Sequence, residues 1–327
     1  MKCFLKVVAL TLTTVALFHA ALPNAAGRAQ QNAGRVFVDS EVYRAPEPSP
    51  EARAEMERKL SEARAAYERN PRDADALIWL GRRTAYLGRF NEAIGVYTEG
   101  IREHPRDARM YRHRGHRYIT TRRFGEAIRD LKRAARLVAA RPDEVEPDGQ
   151  PNARGVPTST LNSNIWYHLG LAHYLKGDFR SAARAYRECL KFSRNPDMLA
   201  ATSHWLYMTL RRLKRDAEAR RLLEGIRDDA EIIENHDYQR LLMMYKGRLT
   251  PEALMEEADR KRDSVGFATV GYGVGNFYLY TGRAPEGFPI FARVVNGPQR
   301  TSFGYIAAEA ERRRAGVRVN RVGVIQD

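Results

Sequence analysis

The stretch Gly81-Arg82-Arg83-Thr84-Ala85-Tyr86-Leu87-Gly88-Arg89-Phe90-Asn91-Glu92-Ala93-Ile94-Gly95-Val96-Tyr97 decides the fold, because its landmarks return. Gly115, Phe124, Ala127 and Leu131 stand 34 residues after Gly81, Phe90, Ala93 and Tyr97. Gly170, Phe179, Ala182 and Tyr186 follow after a further 55, which is one period of 34 plus an insertion of 21. The segments Ala74 to Pro105, Ala108 to Ala139 and Ser163 to Pro196 each carry two apolar runs at helical spacing. A polar turn such as Gly88-Arg89 or Gly177-Asp178 parts the runs, so each unit reads as a helix hairpin. Glycine at 81, 115 and 170 removes a side chain where two helices cross. Ala93, Ala127 and Ala182 are expected to face it, with Phe90, Phe124 and Phe179 filling the next layer. One hairpin cannot bury its own apolar face, so neighbours must stack into a continuous core.

The landmarks and their period resemble those of the tetratricopeptide repeat family, in an exported, bacterial-type setting. The resemblance implies an all-α fold, a right-handed α-solenoid of about six hairpins. Beyond the three clear units, Ala219 and Leu223 fit a fourth, with Tyr207 where glycine is expected and a step of 37 from Ala182. Asp237 to Tyr245 and Pro251 to Arg262 form a fifth around Gly247. Gly275 and Gly282, seven apart as Gly81 and Gly88 are, open a sixth that continues through Phe288, Phe291 and Val294. Ser302 to Arg313 reads as a closing helix, and Glu51 to Glu68 as an N-terminal capping helix. The organisation expected is a signal peptide over 1–26, a flexible leader over 27–50, a solenoid over 51–314 interrupted at 141–162, and a tail over 315–327.

The signal peptide rests on Met1-Lys2-Cys3-Phe4-Leu5-Lys6, an uncharged run from Val7 to Leu22, and the small residues Ala25-Ala26-Gly27. The run is too short for a comfortable membrane span, so export to the periplasm or the exterior is expected, without membrane insertion. Cleavage would leave Cys189 as the only cysteine, which excludes an intramolecular disulfide. Cys189 occupies the helix position of Ala134 and Gly100, so a buried small residue is expected there. The 327 residues are 43% hydrophobic, ample for a folded core. Lys and Arg outnumber Asp and Glu by 55 to 40, and 46 of those bases are Arg. They occur in every segment with no concentrated run, so coding bias is the plainer reading and nucleic acid is not expected as a partner.

No catalytic site is legible. His113 and His116, at i and i+3, share a helix face, but no third ligand joins them, so no metal is expected. Gly271-Tyr272-Gly273-Val274-Gly275 follows no strand and therefore lacks the context of a phosphate loop. Close helix contacts in a soft repeat are expected there instead. No G-x-S-x-G, SxxK or Cys-His arrangement is present, so the chain reads as a non-enzyme without cofactors.

The resemblance implies a concave groove lined by the first helix of each hairpin. Carried over by spacing, it places Arg82, Arg112, His116, Tyr167, Tyr174, His204, Met208 and Arg211 in that groove, extended by Tyr272 and Asn276. Such a basic, aromatic lining suits a protein or peptide, and above all an acidic one. The family's carboxylate clamp uses Lys and Asn at particular groove positions, where Arg82 and Arg112 stand here. The insertion carries Asp143, Glu144, Glu146 and Asp148, and a contact between it and Arg112 is expected. The alternative is a small-ligand or enzyme-accessory protein, with a closed pocket between the insertion and the His- and Tyr-bearing helices. A deep pocket beside His168 and Tyr174 would favour it, and an open groove would favour the scaffold.

Overall fold

The structure is a computed structural model that describes Tyr43, residues 46–261 and residues 263–316. The expected signal peptide, most of the leader and the tail from residue 317 lie outside the described residues. The described helices are α1 (Pro50–Arg69), α2 (Ala74–Tyr86), α3 (Phe90–Glu103), α4 (Ala108–Thr120), α5 (Phe124–Val138), α6 (Leu161–Lys176) and α7 (Phe179–Leu190). They continue with α8 (Pro196–Arg212), α9 (Asp216–Glu224), α10 (His236–Tyr245), α11 (Pro251–Lys261), α12 (Ser264–Tyr280), α13 (Ala284–Asn296) and α14 (Phe303–Arg314). The fold is therefore an all-α repeat. Six hairpins run from α2 to α13, with α1 packed on α2 and α14 on α12 and α13.

Local chemistry sets the helix boundaries. The side chains of Asp73, Asp107, Thr160, Asp178, Asn195, Asp263 and Ser302 each accept a backbone N–H of the first turn they precede. At the other end of the first helix of each hairpin, the chain reverses through a left-handed residue. These are Gly88, Arg122, Gly177, Lys214, Gly247 and Gly282, with φ from +57° to +87°. Two of the six are not glycine, and a left-handed L-residue costs roughly 1–2 kcal/mol. Lys214 lies seven residues after Tyr207, as Gly88 lies seven after Gly81, which fixes the register of the fourth hairpin.

The crossing within each hairpin differs in one detail from the expectation. A Cβ on Gly81 would lie 2.5 Å from the Tyr97 ring, and on Gly275 2.5 Å from Phe291. On Gly115 it would meet Leu131 at 2.8 Å, and on Gly170 Tyr186 at 2.6 Å. The glycine thus seats the large residue 16 positions on, one turn beyond the alanine expected to face it. Ala93, Ala127 and Ala182 are nonetheless fully buried. The glycines of α12 make the close contacts expected of them, Gly271 with Val294 and Gly273 with Leu241.

The second helix of one hairpin packs on the first helix of the next as far as α8. A longer linker, Gly225 to Asn235, then lets α10 pack on α8 instead of on α9. Asp197, 1% exposed, holds that linker by accepting the amides of Ile233 at 2.9 Å and of Glu234 and Asn235 at 2.8 Å. With this inward turn α12 meets α8 and α10, and α14 reaches across the array to α6. The solenoid therefore closes on itself.

Candidate concave site

The first helices of the hairpins do turn inward, but α14 and the insertion cover most of what they present. Arg82, Arg112, Tyr167, Tyr174, His204, Met208, Tyr272 and Asn276 are all buried, and only His116 and Arg211 keep part of their surface. Eight of the ten positions expected to line an open groove are thus covered, because spacing assigns a face and says nothing of what lies on it.

The C-terminal helix supplies one cover. Phe303 packs among His116, Tyr167 and His168 at ring separations of 5.6–6.2 Å. Glu309, 4% exposed, accepts Arg122 Nε at 2.9 Å, and Arg122 donates as well to the Arg300 carbonyl at 2.7 Å. Glu311, 3% exposed, accepts from Arg212 at 2.5 Å and from Arg314 at 2.6 Å. Arg314 donates to the Leu175 carbonyl at 2.9 Å. Beneath this layer the Tyr272 hydroxyl donates to Tyr174 at 2.6 Å, and Asn276 accepts from Arg212 at 3.2 Å. Burial pushes the Tyr174 phenol up to about 12.

The insertion supplies the other cover. Its two limbs meet at a bridge between Val145 and Thr160, with Leu161 N donating to Glu144 O at 2.8 Å and Asn162 donating to Asp143. That stem aims Glu146 inward, 3.0 Å from Arg112 and 3.7 Å from His113 Nε2. The expected contact between the acidic segment and Arg112 is therefore made. Further along, Arg83 donates to the Gly149 carbonyl at 2.8 Å, Arg154 meets Glu231 at 2.5 Å, and Thr158 donates to Glu234. The insertion thus spans from the first hairpin to the linker before α10.

What remains partly open lies on α2 and α4: Trp79, Arg83, Tyr86, His116 and Arg117. The guanidinium of Arg82 sits 4.5 Å from the centre of Trp79 and its Nε donates to Tyr86 at 3.3 Å. The Arg117 guanidinium lies 5.7 Å from the Phe90 ring and has no carboxylate within ion-pair distance among the described residues. Arg112 Nε is buried without a hydrogen-bond partner. The surplus of positive charge has a clear electrostatic imprint. Burial, reinforced by the neighbouring arginines, holds His113, His116 and His168 well below the usual histidine range, and burial draws Arg117 down to about 10. The His116 and His168 rings lie 4.3 Å apart at a tilt of 40°, and His168 Nδ1 bonds to the Asn164 carbonyl at 2.6 Å, so both rings stay neutral in contact.

The remaining expected positions have structural surroundings. His204 lies between Tyr238 and Tyr245, bonded to the latter hydroxyl at 3.2 Å, and burial pushes it down to about 3. Arg211 donates to Tyr207 at 3.0 Å, meets Asp216 at 2.8 Å and stacks on Tyr280. Met208 is core. The recess that does open, about 180 Å³, lies at Ala258, Phe267, Val294 and Gln299. No group of three or more His, Cys, Asp or Glu with metal-holding geometry occurs among the described residues. Sequence reasoning missed Arg122 and Glu309. The available signal was an arginine seven residues after Gly115, where Gly88, Gly177 and Gly282 keep glycine.

Two family models described as the tetratricopeptide repeat match the chain, one over residues 82–145 and one over residues 163–196. No curated protein matches it. Among solved structures it is similar to that of YrrB, described as a tetratricopeptide repeat protein with an unusual peptide-binding site: identity is 14%, with 76% of this chain and 97% of that chain covered and a TM-score of 0.41. It is similar to pilF of Pseudomonas aeruginosa at 17% identity, covering 80% and 91% with a TM-score of 0.45. It is also similar to MamA at 15% identity, covering 61% and 95% with a TM-score of 0.42.

Proposed function

From the premise that the chain carries tetratricopeptide repeats over residues 82–145 and 163–196, a repeat class that generally mediates protein–protein interactions without catalysis, we propose that it is an exported scaffold for an acidic protein or peptide segment. The segment binds the part-open lining of α2 and α4. Export is supported by the charged start at Lys2 and Lys6 and the uncharged run from Val7 to Leu22. The observation that carries the binding reading is Arg117, a guanidinium beside the Phe90 ring that meets no carboxylate among the described residues. A charge held in such surroundings without a partner is costly, and an Asp or Glu from a bound segment would supply a strong charge-assisted pair.

Glu146 occupies Arg112 next to it, so the insertion competes for the same surface. The test is fluorescence anisotropy with a labelled poly-aspartate peptide and a neutral control. Arg117→Glu should abolish binding of the acidic peptide, and deletion of Asp143 to Val156 should strengthen it. Binding that ignores Arg117→Glu sinks the site, and an acidic peptide that binds no better than the neutral one sinks the charge argument.

A further inference from the structure

Folding gathers bases that the sequence disperses. On α5, Arg129, Lys132 and Arg136 recur at i, i+3 and i+7, and all three are exposed. Helix α6 packs on α5 and on α7, and it ends on Lys176, while α7 exposes Arg180 and Arg184. Because α6 packs against both α5 and α7, the two exposed rows flank it, and Lys132 and Arg184 both lie near His173 on the helix between them. None of the six cations has a carboxylate within ion-pair distance among the described residues. The nearby acids are engaged elsewhere: Asp130 with Arg114 at 2.7 Å, Glu126 with Arg123 at 3.1 Å, Glu188 with Lys191 at 2.8 Å, and Asp178 with His173 at 3.1 Å.

Coding bias does not account for this patch, because the corresponding helices of other hairpins balance their charge. Helix α11 sets Glu252, Glu256, Glu257 and Asp259 against Arg260 and Lys261, and α9 sets Asp216, Glu218 and Glu224 against Arg220 and Arg221. The face also lacks what a protein partner would grip. Among the described residues the exposed large hydrophobics are Val145, Val156 and Val265, none of them on it, whereas protein interfaces centre on apolar and aromatic anchors. Single-stranded nucleic acid would want aromatic rings for base stacking, and α5 and α7 offer no exposed ring. A broad face of unpaired cations, with its nearby acids engaged by other bases, fits a diffuse sheet of negative charge.

We propose that the outer face of α5 and α7 docks the solenoid onto an anionic membrane surface, with Arg129, Lys132, Arg136, Lys176, Arg180 and Arg184 meeting phospholipid headgroups. The preference for a membrane over duplex nucleic acid rests on the export part of the proposed function, and the peptide site on the opposite face is left free. Each base near such a surface is worth a roughly fivefold gain in partitioning, so the attraction is strong at low salt and fades as salt screens it.

The experiment is co-sedimentation of the protein with vesicles of phosphatidylcholine alone and of phosphatidylcholine containing phosphatidylglycerol, at low and high salt. Binding is expected only to the anionic vesicles and only at low salt. The triple variant Arg129→Gln, Arg136→Gln, Arg184→Gln should lose on the order of a hundredfold in partitioning. Its melting temperature should be unchanged, since all three side chains are exposed and none is in an ion pair. Arg117→Glu should bind vesicles as the wild type does, so this reading and the peptide site fail separately. Wild-type protein that leaves anionic vesicles in the supernatant overturns the proposal. So does a triple variant that binds as well as the parent. A labelled DNA duplex that binds through the same three arginines while vesicles do not would overturn it in favour of nucleic acid.

Discussion

Arg122 should be the residue whose loss and whose relief of strain pull in opposite directions. It holds φ at +61°, and Lys214 holds +57° at the matching turn two hairpins on. Lys214 is exposed and in no ion pair, so Lys214→Gly should simply recover the left-handed penalty, a stabilisation of about 1 kcal/mol. Arg122→Gly recovers the same penalty but takes from Glu309 its buried partner, leaving it the half-exposed Arg313 at 2.5 Å. The side chains of the Arg122–Glu309 pair are 6% and 5% exposed, and removing one member of a buried pair costs at most roughly 3–5 kcal/mol, a cost that Arg313 reduces here. Subtracting roughly 1–2 kcal/mol of relieved strain leaves Arg122→Gly net destabilised, by no more than about 4 kcal/mol. Urea unfolding followed by far-ultraviolet circular dichroism compares the two variants directly. If Arg122→Gly raises the midpoint as Lys214→Gly does, the pair to Glu309 contributes nothing and the account of closure by α14 is wrong.

Acidification should weaken the fold well above the carboxylate range. His204 titrates at about 3 in the folded chain and near 6.5 unfolded. Between these values the unfolded chain holds the extra proton, so stability rises with pH across the window and is lost as pH falls. The loss at pH 5 is about 2 kcal/mol from this ring alone, and His113 and His168 add in the same direction. Equal urea midpoints at pH 5 and pH 7 would refute this. Gly304→Ala should be severe, because a Cβ there would lie 2.2 Å from the Ala268 carbonyl oxygen, whereas Gly95→Ala meets nothing and should gain roughly 0.5–1 kcal/mol, both read as melting temperatures. Cys189, fully buried and raised to about 12, should resist a thiol reagent at neutral pH until the chain is unfolded. Stoichiometric labelling of the native protein would contradict that.

Repeat number and hairpin boundaries were legible because Gly81, Gly115, Gly170 and Gly275 mark a crossing that tolerates no side chain, and such a constraint leaves a periodic trace. The fourth hairpin was blurred because Tyr207 and Lys214 replace the two glycines that announce the others. The face of each helix was also legible, since Arg82, Arg112 and Tyr167 do turn inward. What covers that face was not. Curvature follows from the linker that Asp197 fastens, and a hydrogen bond between residues 36 apart in the chain leaves no periodicity to read. The outer basic face was half legible. The spacing of Arg129, Lys132 and Arg136 places them together, but only the packing of α6 between α5 and α7 adds Arg180 and Arg184.

The contact from Arg122 to Glu309 joins residues 187 apart, and that separation has a consequence during synthesis. Hairpins of an array can form as each leaves the ribosome, from the N-terminal end onward. The seam that hides His116, Tyr167 and His168 cannot, because Phe303 and Glu309 are made long after the hairpins they cover, Glu309 187 residues after Arg122. Every nascent molecule therefore passes through an interval in which the early hairpins are built and their inner face is bare. That is the interval in which a holding factor would find it.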